Sequence, residues 1–86
     1  MGTHRYRFLS AYPEGTMSAY EFATRRGVAV ESLRNDILYG VDGERIEVTE
    51  IPRMNRLMRY LTPEQQKKAL EFWDRHGVKY RKRGNI

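Results

Sequence analysis

The chain has 86 residues, of which 40% are hydrophobic and 31% charged, and it contains no cysteine. This composition is typical of one soluble globular domain, and it excludes disulfides, thiolate metal sites and, because no long apolar run occurs, a membrane-spanning helix. We therefore expect a single cytoplasmic domain over residues 1–86, with no cofactor and no membrane contact.

The positive charge is concentrated in the last third of the chain. The formal net charge is +5, and arginine supplies 12 of the 16 basic residues. Residues 53–86 hold ten Lys or Arg against three acidic residues, whereas the first 52 residues hold six against eight. Because arginine makes bidentate contacts with phosphate and with guanine edges, nucleic acid is a candidate partner.

The first predicted elements are a strand and a helix. Residues 5–12, RYRFLSAY, alternate in the manner of a strand, and the turn Pro13-Glu14-Gly15 ends it. Ser18 and Glu21 have the spacing of a capping box, which predicts that a helix begins there. Gly27 fits the left-handed position just after the end of a helix.

A second helix is predicted from Val30 to Tyr39. Its apolar residues Val30, Leu33 and Ile37 are spaced three and four apart, so they share one helical face. Gly40 follows as a second signal for a helix end.

A turn and a strand are predicted next. Asp42-Gly43 is a dipeptide of tight hairpin turns, and residues 45–51, RIEVTEI, alternate until Pro52 ends the strand. This strand could pair with the N-terminal strand or form a hairpin wing with residues 39–41.

Two helices are predicted in the C-terminal third. From Arg53 the helical period returns, and the second of these helices begins at Thr62-Pro63-Glu64-Gln65 and ends at Gly77. We expect residues 78–86 to form a basic, flexible tail. The first helix places apolar side chains on one face, opposite arginines at 53, 56 and 59: Met54, Leu57, Met58 and Leu61. We expect this Met-rich face to be core, with a partner or dimer surface as the alternative.

Four residues between Tyr20 and Ile37 have the spacing of a known DNA-binding motif. Ala23 would let two helices approach closely, Gly27 would form a sharp turn, and Val28 and Leu33 would anchor the second helix. The segment thus resembles the helix-turn-helix of small phage and bacterial regulators, such as Cro-type repressors and winged-helix excisionases.

The resemblance implies a fold and a function. The fold is α+β and winged-helix-like, with a two- or three-stranded antiparallel sheet and two C-terminal helices. The function is sequence-specific binding of duplex DNA by a non-catalytic regulator or architectural factor of phage or bacterial type, acting as a homodimer. The segment departs from the family pattern at Arg26 and Asp36, where apolar residues are usual, and at Ala29, where Ser or Thr usually caps the second helix.

The resemblance also assigns contacts. The second helix would enter the major groove, where Arg34 matches guanine and Asn35 matches adenine. The outward residues expected to contact bases are Val30, Glu31, Arg34 and Asn35. The residues expected to contact phosphates are Thr24, Arg25, Ser32, Arg45, Lys79, Arg81, Lys82 and Arg83.

Two other functions stay open. A phage-type protein could bind and inhibit a host protein through its Met-rich helix and its tryptophan helix, or the basic third could bind RNA. The side chains expected to contact a host protein are Met54, Arg56, Met58, Arg59 and Trp73. No nucleophile motif, phosphate-binding glycine loop or metal-ligand set is present in the sequence, so we expect no enzymatic activity.

Overall fold

The computed structural model describes residues 11–78 of the chain. Over this range the fold is α+β, with three helices and a three-stranded antiparallel sheet. In chain order the elements are β1 (Met17–Ser18), α1 (Ala19–Arg25), α2 (Val30–Leu38), β2 (Thr49–Arg53), β3 (Arg56–Leu61) and α3 (Pro63–His76).

The sheet has the strand order β1-β3-β2. β2 and β3 form a hairpin whose register pairs Thr49 with Tyr60 and Arg53 with Arg56. β1 pairs only with the last two residues of β3, Tyr60 and Leu61. The hairpin therefore extends beyond the end of β1.

Side-chain caps determine where two of the helices begin. The backbone N–H of Glu21 donates to the Ser18 hydroxyl at 3.0 Å, as the sequence predicts for α1. At α3 the capping box is complete: the N–H of Gln65 donates to the Thr62 hydroxyl, and the N–H of Thr62 donates to the Gln65 side chain. Thr49 on β2 also donates to Gln65, at 2.9 Å, so the cap links the sheet to α3.

The core lies between the sheet and the three helices, and Trp73 on α3 is central to it. The Trp73 ring stacks on Phe22 of α1, with centroids 5.7 Å apart. Its indole Nε1–H donates to the buried carboxylate of Asp36 on α2 at 2.9 Å. One side chain thus contacts both helices of the N-terminal pair. The buried core residues are Phe22, Ala23, Val28, Leu33, Ile46, Leu61, Ala69, Phe72 and Trp73.

The segment after α2 is anchored by a tight turn. The N–H of Val41 donates to the carbonyl of Glu44, and the N–H of Glu44 donates back to Val41, which confirms the predicted Asp42-Gly43 turn. Gly40 precedes this turn at a φ of 71°, and a Cβ at Gly40 would collide with the Glu44 carbonyl. The turn directs Ile46 into the core, where its N–H donates to the carbonyl of Asp36.

The predicted helix from Arg53 to Leu61 is wrong, because these residues form the end of β2, a turn and β3. Spacings of three and four placed the methionines and leucines on one helical face. In the strand, burial instead increases with distance from the hairpin tip, so that Leu57 is exposed while Leu61, on the same strand face, is buried. Pairing with two other strands outweighs the weak helical pattern. Only one helix, α3, therefore follows the sheet, where two were expected.

The two strands predicted earlier in the chain also differ from the structure. The strand expected over residues 45–51 begins only at Thr49 and runs through Pro52, the residue expected to end it. β2 lies at the edge of the sheet, where a residue without an N–H is tolerated. The strand expected over residues 5–12 falls mostly outside the described residues, and its last two positions lie in a turn and a bend.

The indole–carboxylate bond between Trp73 and Asp36 can be tested by stability. Trp73→Phe keeps an aromatic ring near Phe22 but removes the donor, so we expect a loss of about 1–3 kcal/mol in the free energy of unfolding. Adding Asp36→Leu should recover much of that loss, because no unpaired buried carboxylate remains. Urea denaturation measures both, and a Trp73→Phe variant as stable as the native chain would contradict the assignment.

Gly40, just before the tight turn, and Gly43, within it, provide a matched pair of substitutions. Gly40→Ala should lower the free energy of unfolding by about 3 kcal/mol, because positive-φ strain and a backbone collision act together. Gly43→Ala has a similar φ but open space around the added carbon, so the strain alone should cost about 1 kcal/mol. Equal losses for the two variants in thermal denaturation would show that the collision is relieved by movement of the turn.

Candidate nucleic-acid interface

α1 and α2 form a compact helical pair around Gly27. Gly27 has a φ of 68°, and the N–H of Val28 donates to the carbonyl of Ala23 at 3.0 Å across the turn. Ala23, Val28 and Leu33 are all at most 1% exposed. The packing predicted for these positions from the sequence is confirmed.

The opposite face of α2 is open to solvent. Glu31, Arg34 and Asn35 are exposed, and Val30 at the start of the helix is 39% exposed. Glu31, Arg34 and Asn35 line a shallow concave surface together with Leu38 and Tyr39. The predicted exposure of the four proposed base-contacting side chains is confirmed, and Tyr39, which was not among them, is 75% exposed on the same surface.

The three residues that depart from the helix-turn-helix pattern, Arg26, Ala29 and Asp36, each have a distinct environment in the structure. Asp36 is buried, and its carboxylate accepts the hydrogen bond from Trp73, so a polar pair occupies the place of an apolar contact. Arg26 lies at the surface, with its guanidinium carbon 5.7 Å from the centre of the Phe22 ring. Ala29 occupies the N-cap position of α2 without a side-chain hydrogen bond, so this helix start lacks the usual cap.

The residues proposed for phosphate contact fall into three groups. Arg25 and Arg45 are exposed, with Arg25 paired to Glu21 at 2.8 Å, and Thr24 is half-buried. Ser32 is only 1% exposed, because it lies on the inward face of α2, so its hydroxyl cannot reach a phosphate in this fold. The remaining four proposed residues lie outside the described range: Lys79, Arg81, Lys82 and Arg83.

The surface proposed for a host protein does not exist as a helical face. Met54 and Arg56 are exposed near the tip of the β2–β3 hairpin, whereas Met58 and Arg59 are half-buried on β3. Trp73 is only 7% exposed, because it stacks on Phe22 and bonds to Asp36. Trp73 therefore serves the core and is unavailable as a contact for a partner.

The hairpin tip was not predicted from the sequence. All six residues from Pro52 to Leu57 are exposed, and Met54 reaches 95% exposure. Pro52 and Asn55, two residues that favour turns and strand edges, were the available signal. The methionines and leucines of this segment have helical spacing, and that pattern favoured the prediction of a helix over that of a turn.

A cluster of charged residues holds the turn after α2 against the end of α3. The Glu44 carboxylate lies 2.6 Å from Nε2 of His76 and 3.3 Å from the Arg75 guanidinium. The hydrogen bond with His76 is the largest cause that lowers the pKa of Glu44; partial burial opposes it, and the Arg75 charge lowers the pKa further. The cluster fixes the Val41–Glu44 turn to the last turn of α3.

Comparisons with models of protein families, with curated proteins and with solved structures find no match to this chain. Each helix between residues 11 and 78 is too short or too polar to cross a lipid bilayer. Over the same residues, no group of three or more histidine or acidic side chains could hold a metal ion. The case for a function therefore depends on the geometry and charge of the surface side chains.

The contacts of Glu44 with Arg75 and His76 should make the free energy of unfolding depend on pH. Because the folded chain lowers the pKa of Glu44 below 4.5, ionised Glu44 stabilises the fold above that value, and the contribution is lost as the pH falls through the lower, folded pKa. The native chain should therefore be more stable than Glu44→Gln near neutral pH, and the difference should shrink below about pH 4.5. Urea denaturation across this range measures it, and a difference independent of pH would contradict the role of the Glu44 charge.

Proposed function

We propose that the chain binds duplex DNA with a preference for sequence, by placing α2 in the major groove, and that it acts without catalysis. The observation that carries the proposal is the division of α2 into two faces. One face is held in the core by Leu33 and Asp36, while Arg34 and Asn35 point to solvent. An α-helix presented in this way has the width and the free side chains that the major groove accepts.

The exposed face of α2 carries three side chains that can distinguish base pairs. Arg34 can donate two hydrogen bonds to guanine, Asn35 can pair with adenine, and Glu31 can accept from the amino group of cytosine. Residues three and four positions apart share a helical face, so Glu31 lies beside both of the others. Each well-formed contact of this kind contributes about 1–3 kcal/mol of discrimination between bases.

The attraction to phosphate must come from outside α2. Glu31 is an exposed acid on the proposed contact face, whereas Asp36 is turned into the core and engaged by Trp73. Arg25 and Arg45 are exposed on neighbouring segments and can supply positive charge. We expect a modest number of phosphate contacts, and hence an affinity that falls as salt rises.

The proposal is tested by selection from a pool of random duplexes at moderate salt, followed by gel-shift measurement on the recovered sequence. Enrichment of one short sequence motif supports the proposal, and a loss of affinity as salt rises supports phosphate contact. Recovery of no motif, combined with tighter binding to hairpin or single-stranded RNA, would favour the RNA interpretation. A host protein captured at a fixed ratio, with no affinity for duplex DNA at low salt, would favour the inhibitor.

Arg34→Ala directly tests the proposed contact between α2 and guanine. It should relax the preference at one base pair by about 1–3 kcal/mol, because the bidentate contact with guanine is lost. Competition gel shifts with single-base variants of the selected duplex measure the effect. Lys67→Ala, which removes an exposed charge from α3, is the control and should leave the base preference unchanged. If the Arg34→Ala variant keeps the full base preference, α2 does not contact the bases as proposed.

A further inference from the structure

The tip of the β2–β3 hairpin combines features that work against stability. Met54 is the first residue of a two-residue loop between Arg53 and Arg56, and its side chain is 95% exposed. It is the most exposed large apolar side chain in the described part of the chain. An apolar side chain so far from the core contributes almost nothing to folding.

The backbone at Met54 is also unusual for its residue type. Met54 has a φ of 56°, whereas Asn55 does not have a positive φ, and this combination is the pattern of a type II′ turn. The first position of such a turn is normally glycine, because a side chain is strained there. The Asp42-Gly43 turn, by contrast, has residues that suit its backbone: both have positive φ, and together they form the favoured Asp-Gly pair.

The charges at the tip are unfavourable to pairing as well. Arg53 and Arg56 are opposite each other in the register, and like charges at directly opposed positions destabilise a hairpin. Leu57, the next residue on β3, is a further exposed apolar side chain at 55%. A strained backbone, two adjacent cations and exposed apolar side chains therefore coincide within five residues, as is typical of a functional site.

We propose that the hairpin tip is a second DNA contact, in which Met54 inserts between two base pairs from the minor groove and bends the duplex. The proposal rests on the duplex binding proposed for α2. Apolar side chains that enter the minor groove unstack a base step and bend DNA, and flanking arginines bind the phosphates on either side. The arginine pair favours a polyanion, and the single protruding thioether side chain is narrow enough to enter a base step. The hairpin thereby makes this chain an architectural protein as well as a site-reading one.

The test is ligase-mediated ring closure of a mixed-sequence duplex of about 100 bp, which is shorter than the persistence length of about 150 bp and closes slowly by itself. We expect the native chain to speed closure by about tenfold, equivalent to about 1.4 kcal/mol of bending free energy. Met54→Ser should lose most of this acceleration while gel shifts on the same duplex show nearly unchanged affinity. Met54→Leu, which keeps an apolar side chain of similar size, should retain it.

A stability measurement separates the role of the side chain from an effect on folding. Met54→Gly should relieve the strain at positive φ and raise the melting temperature by up to about 4 °C, yet it should bend DNA no better than Met54→Ser. A Met54→Gly chain that speeds ring closure as well as the native chain would overturn the proposal.

The remaining outcomes distinguish the two proposals from each other. If the native chain shifts the duplex but does not speed closure, or if Met54→Ser speeds it equally, only the insertion by Met54 is wrong. If the native chain does not shift the duplex at low salt, both proposals are wrong. Binding to anionic phospholipid vesicles that requires Met54, without acceleration of ring closure, would assign the tip to a lipid surface instead.

Discussion

The contact on which the rest of the structure depends is made by Trp73. Its ring stacks on Phe22 of α1, and its indole N–H donates to Asp36 of α2, so one residue of the last helix holds both members of the first helical pair. A buried carboxylate without a partner is costly, which makes the pairing of Asp36 with an aromatic donor a strong constraint on where α3 can lie. The orientation of α2, and thus of its exposed face, follows from this contact.

The same contact changes the electrostatics of the candidate interface. Two acids on α2 would weaken any approach to phosphate, but the one at position 36 is turned inward and compensated by the indole. Glu31 remains on the exposed face, where a carboxylate can select a base but cannot attract a phosphate. In the proposed DNA complex, base selectivity would lie on α2, while positive charge would come from outside it, from residues such as Arg45.

The Asp42-Gly43 turn and the Met54-Asn55 turn differ in how well their residues suit the backbone. The Asp42-Gly43 turn has the residues that its backbone favours, and Glu44 beside it is held by Arg75 and His76 of α3. The Met54-Asn55 turn has a bulky residue where glycine is expected. The first turn serves the fold by placing Ile46 in the core. The second is explained better by what its side chain can contact outside the molecule.

Local signals in the sequence determined the parts of the fold whose physics is local. The caps at Ser18 and Thr62, the glycine at position 27 and the inward positions Ala23, Val28 and Leu33 were predictable, because capping and close helix packing depend on residues a few positions apart. The exposure of Arg34 and Asn35 followed from the same spacing. Only the tertiary structure decided that residues 53–61 form the end of β2, a turn and β3, that Ser32 and Asp36 are buried, and that Trp73 bonds to Asp36. Strand pairing and the indole–carboxylate bond join residues that are distant in sequence, and periodicity carries no information about such partners.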